Sequence, residues 1–519
     1  VIFLNLLYLQ KKLFKYQLIM NTLMLPLSLY RASQVRELDR IAIEEMGIPG
    51  ICLMERAGGA AFALLKKLWP HARRIIVLCG SGNNGGDGYV LARLAYLAGY
   101  DITVLQLGDT TKLKGDAQIT FEAMTHVGLI PQVFAEKKLS IVDVIVDAIF
   151  GTGLDREVTG RWREVIDALN HRNCPLLSLD TPSGLHADTG TVLGVAVHAD
   201  VTISFIGLKQ GLFTGMGVDY RGKIYFDDLQ VPHSIYKQVK TSVTRLDYDE
   251  LKTLLIRRPK SAHKGSFGHV LIIGGDSGMT GAARLAAEAA ARVGAGKVSI
   301  ATRATHAAFL NLARPEIMVH GIETAAELQQ LITQIDIIAI GPGLGQSIWA
   351  RAMLDTIKEQ QKPIVLDADA LNLLARAPFR LPQSVLTPHP GEAARLLEFT
   401  TPEIQNDRFT AVRALQLRFG GVCVLKGAGT LVAGANGQIG VCSAGNPGMA
   451  CGGMGDVLTG VIAGLLAQGF STTNAASLGV CLHAKAGDKE AENQGERGLL
   501  PSDLLPWIRH YANPEIEKP

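Results

Sequence analysis

The sequence predicts an α/β protein of two different parallel-sheet domains in one chain, on three observations. Short β-branched runs ended by Gly, Asp or Pro alternate with helix-like segments. The runs are continuously apolar, as strands covered on both faces of a parallel sheet are. The alternation occurs twice, with a change of texture between the two blocks. At 519 residues, 47% of them hydrophobic, the chain is long enough to bury more than one core.

Residues 1–26 carry Lys11, Lys12 and Lys15 and no acid. The lysines and Gln10 break their apolar runs, so none reaches the roughly 18 residues of a spanning helix. The segment is expected to be an extension without a fold of its own, a targeting segment being the alternative. The first block, 27–235, holds the strands RRIIVLCG, YDITVLQLG, IVDVIVDAIFG, PLLSLDTPSG and ADVTISFIG, with helical patterns such as GYVLARLAYLAG between them. Charged, tyrosine-bearing sequence around Asp227 to Arg258 marks the boundary. The second block, 244–510, runs through HVLIIGGDSG, the Ala-rich TGAARLAAEAAARVGAG, KVSIAT, DIIAIGPGLG, PIVLDADALNLL, SVLTPHPGEAARLL and GVCVLKGAGTLVAG. No motif recurs at a fixed period in both blocks, so they are not repeats.

Beyond residue 26 the formal charges balance. Neither nucleic acid nor a membrane is therefore expected as a partner; small-molecule substrates and a homo-oligomer are. The seven cysteines contain no CxxC pair, and a reducing, cytoplasmic setting is expected.

CGSGNNGGDG follows the first strand and opens a helix, and Gly80, Gly82 and Gly85 satisfy GxGxxG. In that context backbone amides at the helix start can face a pyrophosphate, which makes the first domain Rossmann-like. A tight turn would also need glycine, but not Asn83, Asn84 and Asp87 beside it. Asp147 and Asp180 close two later strands. Strand carboxyl ends share one sheet edge, so Asn84, Asp147, Asp180 and Ser183 can converge as cation ligands and an acid/base carboxylate.

In the second block GNPGMACGGMGDVLTG packs six glycines into sixteen residues before an apolar helix. Such a loop gathers amide dipoles on an anion, and Asp456 at the helix start is placed to take a proton from a hydroxyl beside it. A helix cap is the plainer role for Asp456, but it explains none of the clustered glycines. KGAGT after a strand can hold phosphates through Lys426 and backbone amides. GPGLG and TPHPGE are turns after strands, with His389 held between two prolines. RVGAGKV lacks a Walker A ending, so Gly294 and Gly296 read as a helix stop. Cys423, Cys442 and Cys451 read as packing residues.

SQVRELDRIAIEEMGIPGICLMERAGGA, GSGNNGGDGYVLARLA, DAIFGTGL and LDTPSGL, in that order, resemble the NAD(P)H-hydrate epimerase domain. The resemblance implies that Asn83, Asn84, Gly85, Gly86 and Asp87, with Gly151, Thr152, Gly153, Leu154, Asp155, Arg156 and Glu157, hold the damaged dinucleotide. It further implies potassium at Asn84, Asp147 and Ser183, and Asp180 as the proton-transfer group. The motifs HKGSFGHVLIIGGDSGMTGAARLA, GPGLG, LDADALN, TPHPGE, LKGAGT and GNPGMACGGMGDVLTGVIAGLLAQG resemble the ADP-dependent NAD(P)H-hydrate dehydratase domain, a ribokinase-like fold. Cys451 departs from that pattern, where a small hydroxyl residue is expected. This resemblance implies that Lys426, Gly427, Ala428, Gly429, Thr430 and Gly455 bind the adenine nucleotide, and that Gly343, His389 and Asp456 meet the hydrated substrate, with magnesium and ADP as phosphoryl donor. The implied activity is repair: epimerisation of R- and S-NAD(P)H hydrate and ADP-dependent dehydration of the S form. The alternative is a small-molecule kinase of vitamin or sugar type with an N-terminal dinucleotide-binding or scaffold domain.

Overall fold

The computed structural model describes residues 25–513 except 137, 138, 140, 141 and 313, so most of the expected extension 1–26 lies outside the described residues. The chain divides into two compact units, one of residues up to Leu212 plus Asp219–Thr241, the other of Phe213–Val218 plus Ser242 onward. The boundaries expected from sequence run without interruption; the units do not, because Phe213–Val218 belong to the second. No helix among the described residues is long and apolar enough to cross a membrane.

In the N-terminal unit β1 (Ser28–Tyr30), α1 (Ala32–Arg40) and α2 (Gly50–Leu68) precede β2 (Arg74–Cys79), α3 (Asn83–Leu97), β3 (Asp101–Gln106) and α4 (Gly115–His126). There follow β4 (Gln132–Val133), β5 (Val144–Ala148), α5 (Gly160–Asn170), β6 (Leu176–Leu179), β7 (Val201–Phe205), β8 (Leu208–Lys209) and β9 (Lys223–Asp227). The sheet runs β4-β3-β2-β5-β6-β7-β9, every neighbour parallel, while β1 pairs with β8. The continuous apolar runs are explained by two cores. Ile75, Val77, Val144 and Val146 enter one, and Ile76, Leu78 and Ile145 the other, as successive residues point to opposite faces. Strand order reverses between β2 and β5, which opens a crevice at their carboxyl ends.

The C-terminal unit contains β10 (Val243–Arg245), β11 (His269–Ile273), α6 (Thr280–Val293), β12 (Lys297–Thr302), β13 (Met318–Gly321), β14 (Ile337–Ile340) and β15 (Ile364–Leu366). It continues through α7 (Ala368–Arg376), β16 (Ser384–Leu386), α8 (Pro390–Leu397), α9 (Arg408–Phe419), β17 (Val422–Leu425), β18 (Thr430–Ala433), β19 (Ile439–Cys442), α10 (Met454–Ala467) and α11 (Thr472–Gln494). Its strands run β13-β12-β11-β14-β15-β16-β17-β18-β19-β10. The pairs β17/β18 and β18/β19 are antiparallel, so KGAGT is a hairpin turn and this part of the sheet departs from the parallel pairing expected. The apolar α10 is buried on most of its surface and lies against the Ala-rich α6. Gly460 allows this approach: a Cβ there would stand 2.0 Å from the Ala286 carbonyl oxygen.

Gly294 ends α6 in the left-handed region, as a helix stop does. Gly296 serves packing instead, since a Cβ on it would stand 1.9 Å from the Lys264 carbonyl oxygen. Cys423 and Cys442 are buried, but Cys451 is exposed and is not a packing residue, because the glycine loop that carries it lies on the surface.

Candidate active sites

The loop after β2 turns sharply into α3, and its glycines let strand, loop and helix meet. A Cβ at Gly85 would lie 2.1 Å from the Gly80 carbonyl oxygen, and one at Gly86 2.5 Å from the Met54 sulfur. These two glycines serve close approach. Asn83, Asn84 and Asp87 instead line a cavity of about 540 Å³, together with Gly151 to Arg156 and Asp180. Glu157 is not among the lining residues.

Asn84 is buried, and neither its amide nitrogen nor its amide oxygen has a partner among the described residues. Such a group is costly unless a ligand completes it. Asp147 is fully buried at the end of β5 and accepts from Ser178 Oγ (2.8 Å), Ser183 N (2.9 Å) and Ser183 Oγ (2.6 Å). Burial pushes its carboxyl above the ordinary range, against the pull of these bonds. Ser183 Oγ also accepts from the Phe150 amide at 2.8 Å, and a Cβ on the next residue, Gly151, would be 3.3 Å from Asn84 Cβ and 3.4 Å from Asp180 Oδ2. The orphaned amide, the carboxylate and the hydroxyl are hard oxygen donors of the kind a monovalent cation takes. Among the described residues no three His, Cys, Asp or Glu side chains could hold a metal ion together.

Asp180 adopts the left-handed region (φ 66°), which turns its carboxylate toward the cavity lining. It pairs with Lys209, whose fully buried ammonium also donates to Ser204 Oγ (3.1 Å) and the Phe205 carbonyl (3.0 Å). Asp39 and Asp87 share this field. Burial and the Asp180 charge raise both, Asp39 to about 6, while Lys209 pulls them down. Asp39 and Lys209 escaped the sequence reading, though a lone lysine inside the apolar run SFIGLKQGLF is a sign of a buried, paired charge.

In the C-terminal unit Gly453, not Asp456, is the N-cap of α10. Asp456 stands in the first helical turn, and no side chain caps the helix. It faces a charge cluster built on strand ends. Lys426 Nζ, after β17, is 2.6 Å from Asp367 Oδ1, after β15, and 3.9 Å from Glu392 Oε2 on α8. Thr459 Oγ1 donates to Asp367 Oδ2 at 2.8 Å. Burial alone would raise Asp367, but Lys426 and the hydroxyl bonds outweigh it and hold the carboxyl below its ordinary value. Burial, Asp367 and Asp369 push Asp456 up to about 7 against the pull of Lys426, and burial likewise puts Glu392 at about 7. Gly455 fits here because it has no side chain: a Cβ would stand 3.1 Å from Lys426 Nζ and 3.3 Å from Asp367 Oδ2.

His389 caps α8 through Nδ1, which accepts from the Gly391 amide at 3.0 Å. Burial and the nearby Lys426 and Arg395 charges keep its pKa down, so the neutral ring carries its proton on Nε2. Gly343 (φ 58°) belongs to the turn after β14, whose carbonyl oxygen accepts from the Asp276 amide at 2.7 Å. The glycine loop is tied to α11 through Asp488, which accepts from the Gly445 amide (2.9 Å) and Asn446 Nδ2 (3.0 Å).

The turn Lys426–Thr430 has its carbonyls turned inward. Arg408 Nη2 donates to the Lys426 carbonyl at 3.1 Å, Gly215 N to that of Ala428 at 3.0 Å, and Thr214 Oγ1 to that of Gly429 at 2.9 Å. In planar trans peptides this leaves the Gly427 and Gly429 amides facing the other way. Neither has an acceptor among the described residues. Outward amides on a short turn form an anion cradle.

Comparison with known proteins agrees with this division. A family model described as NAD(P)H-hydrate dehydratase matches residues 270–509, and one described as YjeF-related protein N-terminus matches residues 50–211. The bifunctional NAD(P)H-hydrate repair enzyme Nnr of Coxiella burnetii is 48% identical over 486 residues, 94% of this chain and 99% of the relative. That of Escherichia coli K12 is 43% identical over 498 residues, 96% of each. A solved ADP/ATP-dependent NAD(P)H-hydrate dehydratase of Bacillus subtilis, co-crystallised with ATP and Mg2+, is 31% identical with a TM-score of 0.48, covering 51% of this chain and 96% of its own. With nearly full-length relatives at this identity and both models in sequence order, the chain belongs to the family of bifunctional NAD(P)H-hydrate repair enzymes.

Proposed function

We propose that the chain repairs hydrated nicotinamide dinucleotides, the N-terminal unit epimerising the R and S hydrates and the C-terminal unit dehydrating the S form at the expense of ADP. The observation that carries the reading is Asp456: a carboxylate at an uncapped helix start, held near neutrality, facing the Lys426–Asp367 pair. Full-length similarity to repair enzymes favours it over the kinase alternative.

Asp456 takes the proton of the C6 hydroxyl, whose oxygen attacks the terminal phosphorus of ADP and releases AMP. The ring nitrogen's lone pair expels phosphate from C6, and loss of the C5 proton restores the double bond. The amides of Gly427 and Gly429 hold the nucleotide phosphates, magnesium arriving with them, and Gly343 and His389 contact the hydrate. Hydroxide is a poor leaving group and phosphate a good one, which is what the nucleotide contributes. A pocket selective for S strands the R hydrate. The 540 Å³ cavity removes that limit, with Asp180 as the acid/base group that interconverts the two forms at C6 and Asn83, Asn84, Asp87 and Gly151 to Arg156 contacting the dinucleotide. Asn84, Asp147 and Ser183 would hold potassium, which would supply a fixed positive charge there.

Racemic NADPH hydrate mixed with the protein, ADP, magnesium and potassium is expected to return the whole reduced-nicotinamide absorbance. A halt near half would leave only dehydration, and no recovery would overturn the proposal. Exchanging potassium for tetramethylammonium is expected to slow epimerisation severalfold and leave dehydration of pure S hydrate unaltered. Equal epimerisation rates in the two salts would remove the cation from the scheme.

A further inference from the structure

Lys426 was expected to grip phosphate, but its ammonium lies between Asp367 and Glu392, two carboxylates that neutralise it. The cation left over beneath the same turn is Arg408. Among the described residues it is the largest fully buried side chain, and none of its hydrogen bonds there goes to a carboxylate. Its donors end instead on neutral acceptors: Nε on Thr214 Oγ1 (2.9 Å), Nη1 on Gln405 Oε1 (2.7 Å), Nη2 on the Leu425 and Lys426 carbonyls (3.2 and 3.1 Å). The guanidinium also abuts Gly427 so closely that a Cβ there would stand 3.2 Å from Nη1. A buried charge without a counter-ion is expensive, and burial duly lowers the Arg408 pKa to about 10. An anion seated on the outward amides of Gly427 and Gly429 would supply the missing partner across one layer of backbone.

We propose that Arg408 is the positioning residue of the nucleotide-phosphate site, fixing the Lys426–Thr430 turn with its carbonyls inward and lending the bound phosphates the positive charge that Lys426 cannot. The inference rests on the reading of this turn as the nucleotide cradle. Its ligand is the phosphate of a nucleoside diphosphate, not the base, so the effect should scale with phosphate.

Three proteins test it in the full chain: wild type, Arg408→Met and Arg408→Lys. Arg408→Met is expected to raise KM for ADP by about tenfold or more, leaving KM for the S hydrate within about twofold. Calorimetric affinity for ADP should fall in parallel, with adenosine affinity unaltered. Arg408→Lys restores the charge without the planar donor fork and should recover part of the loss. If Arg408→Met does not fold, Thr214→Val, which removes the Nε acceptor but keeps the volume, is expected to raise KM for ADP severalfold. Equal ADP affinity in wild type and Arg408→Met, or equal losses for adenosine and ADP, would overturn the inference alone. Wild type failing to bind ADP would overturn the nucleotide reading beneath it.

Discussion

Asp456→Asn is expected to lower kcat for dehydration by about 10²–10⁴-fold, the usual worth of a positioned acid or base, while epimerisation of the hydrates continues at the parental rate. The amide keeps the side chain's size but cannot take the hydroxyl proton. Because Asp456 titrates at about 7, the parent's kcat should fall about tenfold per pH unit below that value, and the asparagine variant's residual rate should not. Stability moves the opposite way. The folded value lies above the ordinary 3.8, so the contribution of protonated Asp456 is full below the unfolded value and is lost as pH rises through about 7. Asp456→Asn should therefore raise Tm at pH 8 by more than at pH 5. A variant that turns over like the parent would leave the dehydration scheme without its base.

Asp180→Asn should abolish the epimerase by a comparable factor, about 10²–10⁴ in kcat, so that recovery from racemic hydrate stops near half. Dehydration of the pure S hydrate should not alter. Asparagine is the informative replacement for two reasons. It tolerates the left-handed backbone that this position adopts, and it still offers Lys209 an oxygen. Asp180→Ala removes the partner of a fully buried ammonium, and breaking such a pair costs on the order of 3–5 kcal/mol. Retained dinucleotide affinity in Asp180→Asn, measured by titration, separates lost chemistry from lost binding. An unaltered epimerisation rate would leave the N-terminal cavity as a binding module.

The parts of both sites that depend on chain order were legible. Continuous apolar runs marked the strands, and the residues that close them, Asp147, Asp180 and Lys426, stand in the structure at sheet edges where loops converge. The same strand-end rule would have found Asp367, which closes PIVLD and bonds to Lys426. Arg408, Asp39 and Asp488 were not legible, because each sits in an ordinary amphipathic or polar helix. Their importance comes from partners far off in sequence, such as Thr214 for Arg408, and no local pattern encodes those. The antiparallel hairpin around KGAGT was missed for a related reason: its two strands are short apolar runs, and pairing direction is a tertiary property.

The six residues Phe213–Val218 have a consequence for anyone dividing the protein. They precede the charged junction by many positions, yet they supply the floor under Gly429 and the hydroxyl that receives Arg408 Nε. A recombinant half beginning at Ser242 would carry every residue assigned to dehydration and still lack that floor. Excision at the obvious seam yields an incomplete part, so complementation between separately produced halves must be designed around a borrowed hexapeptide.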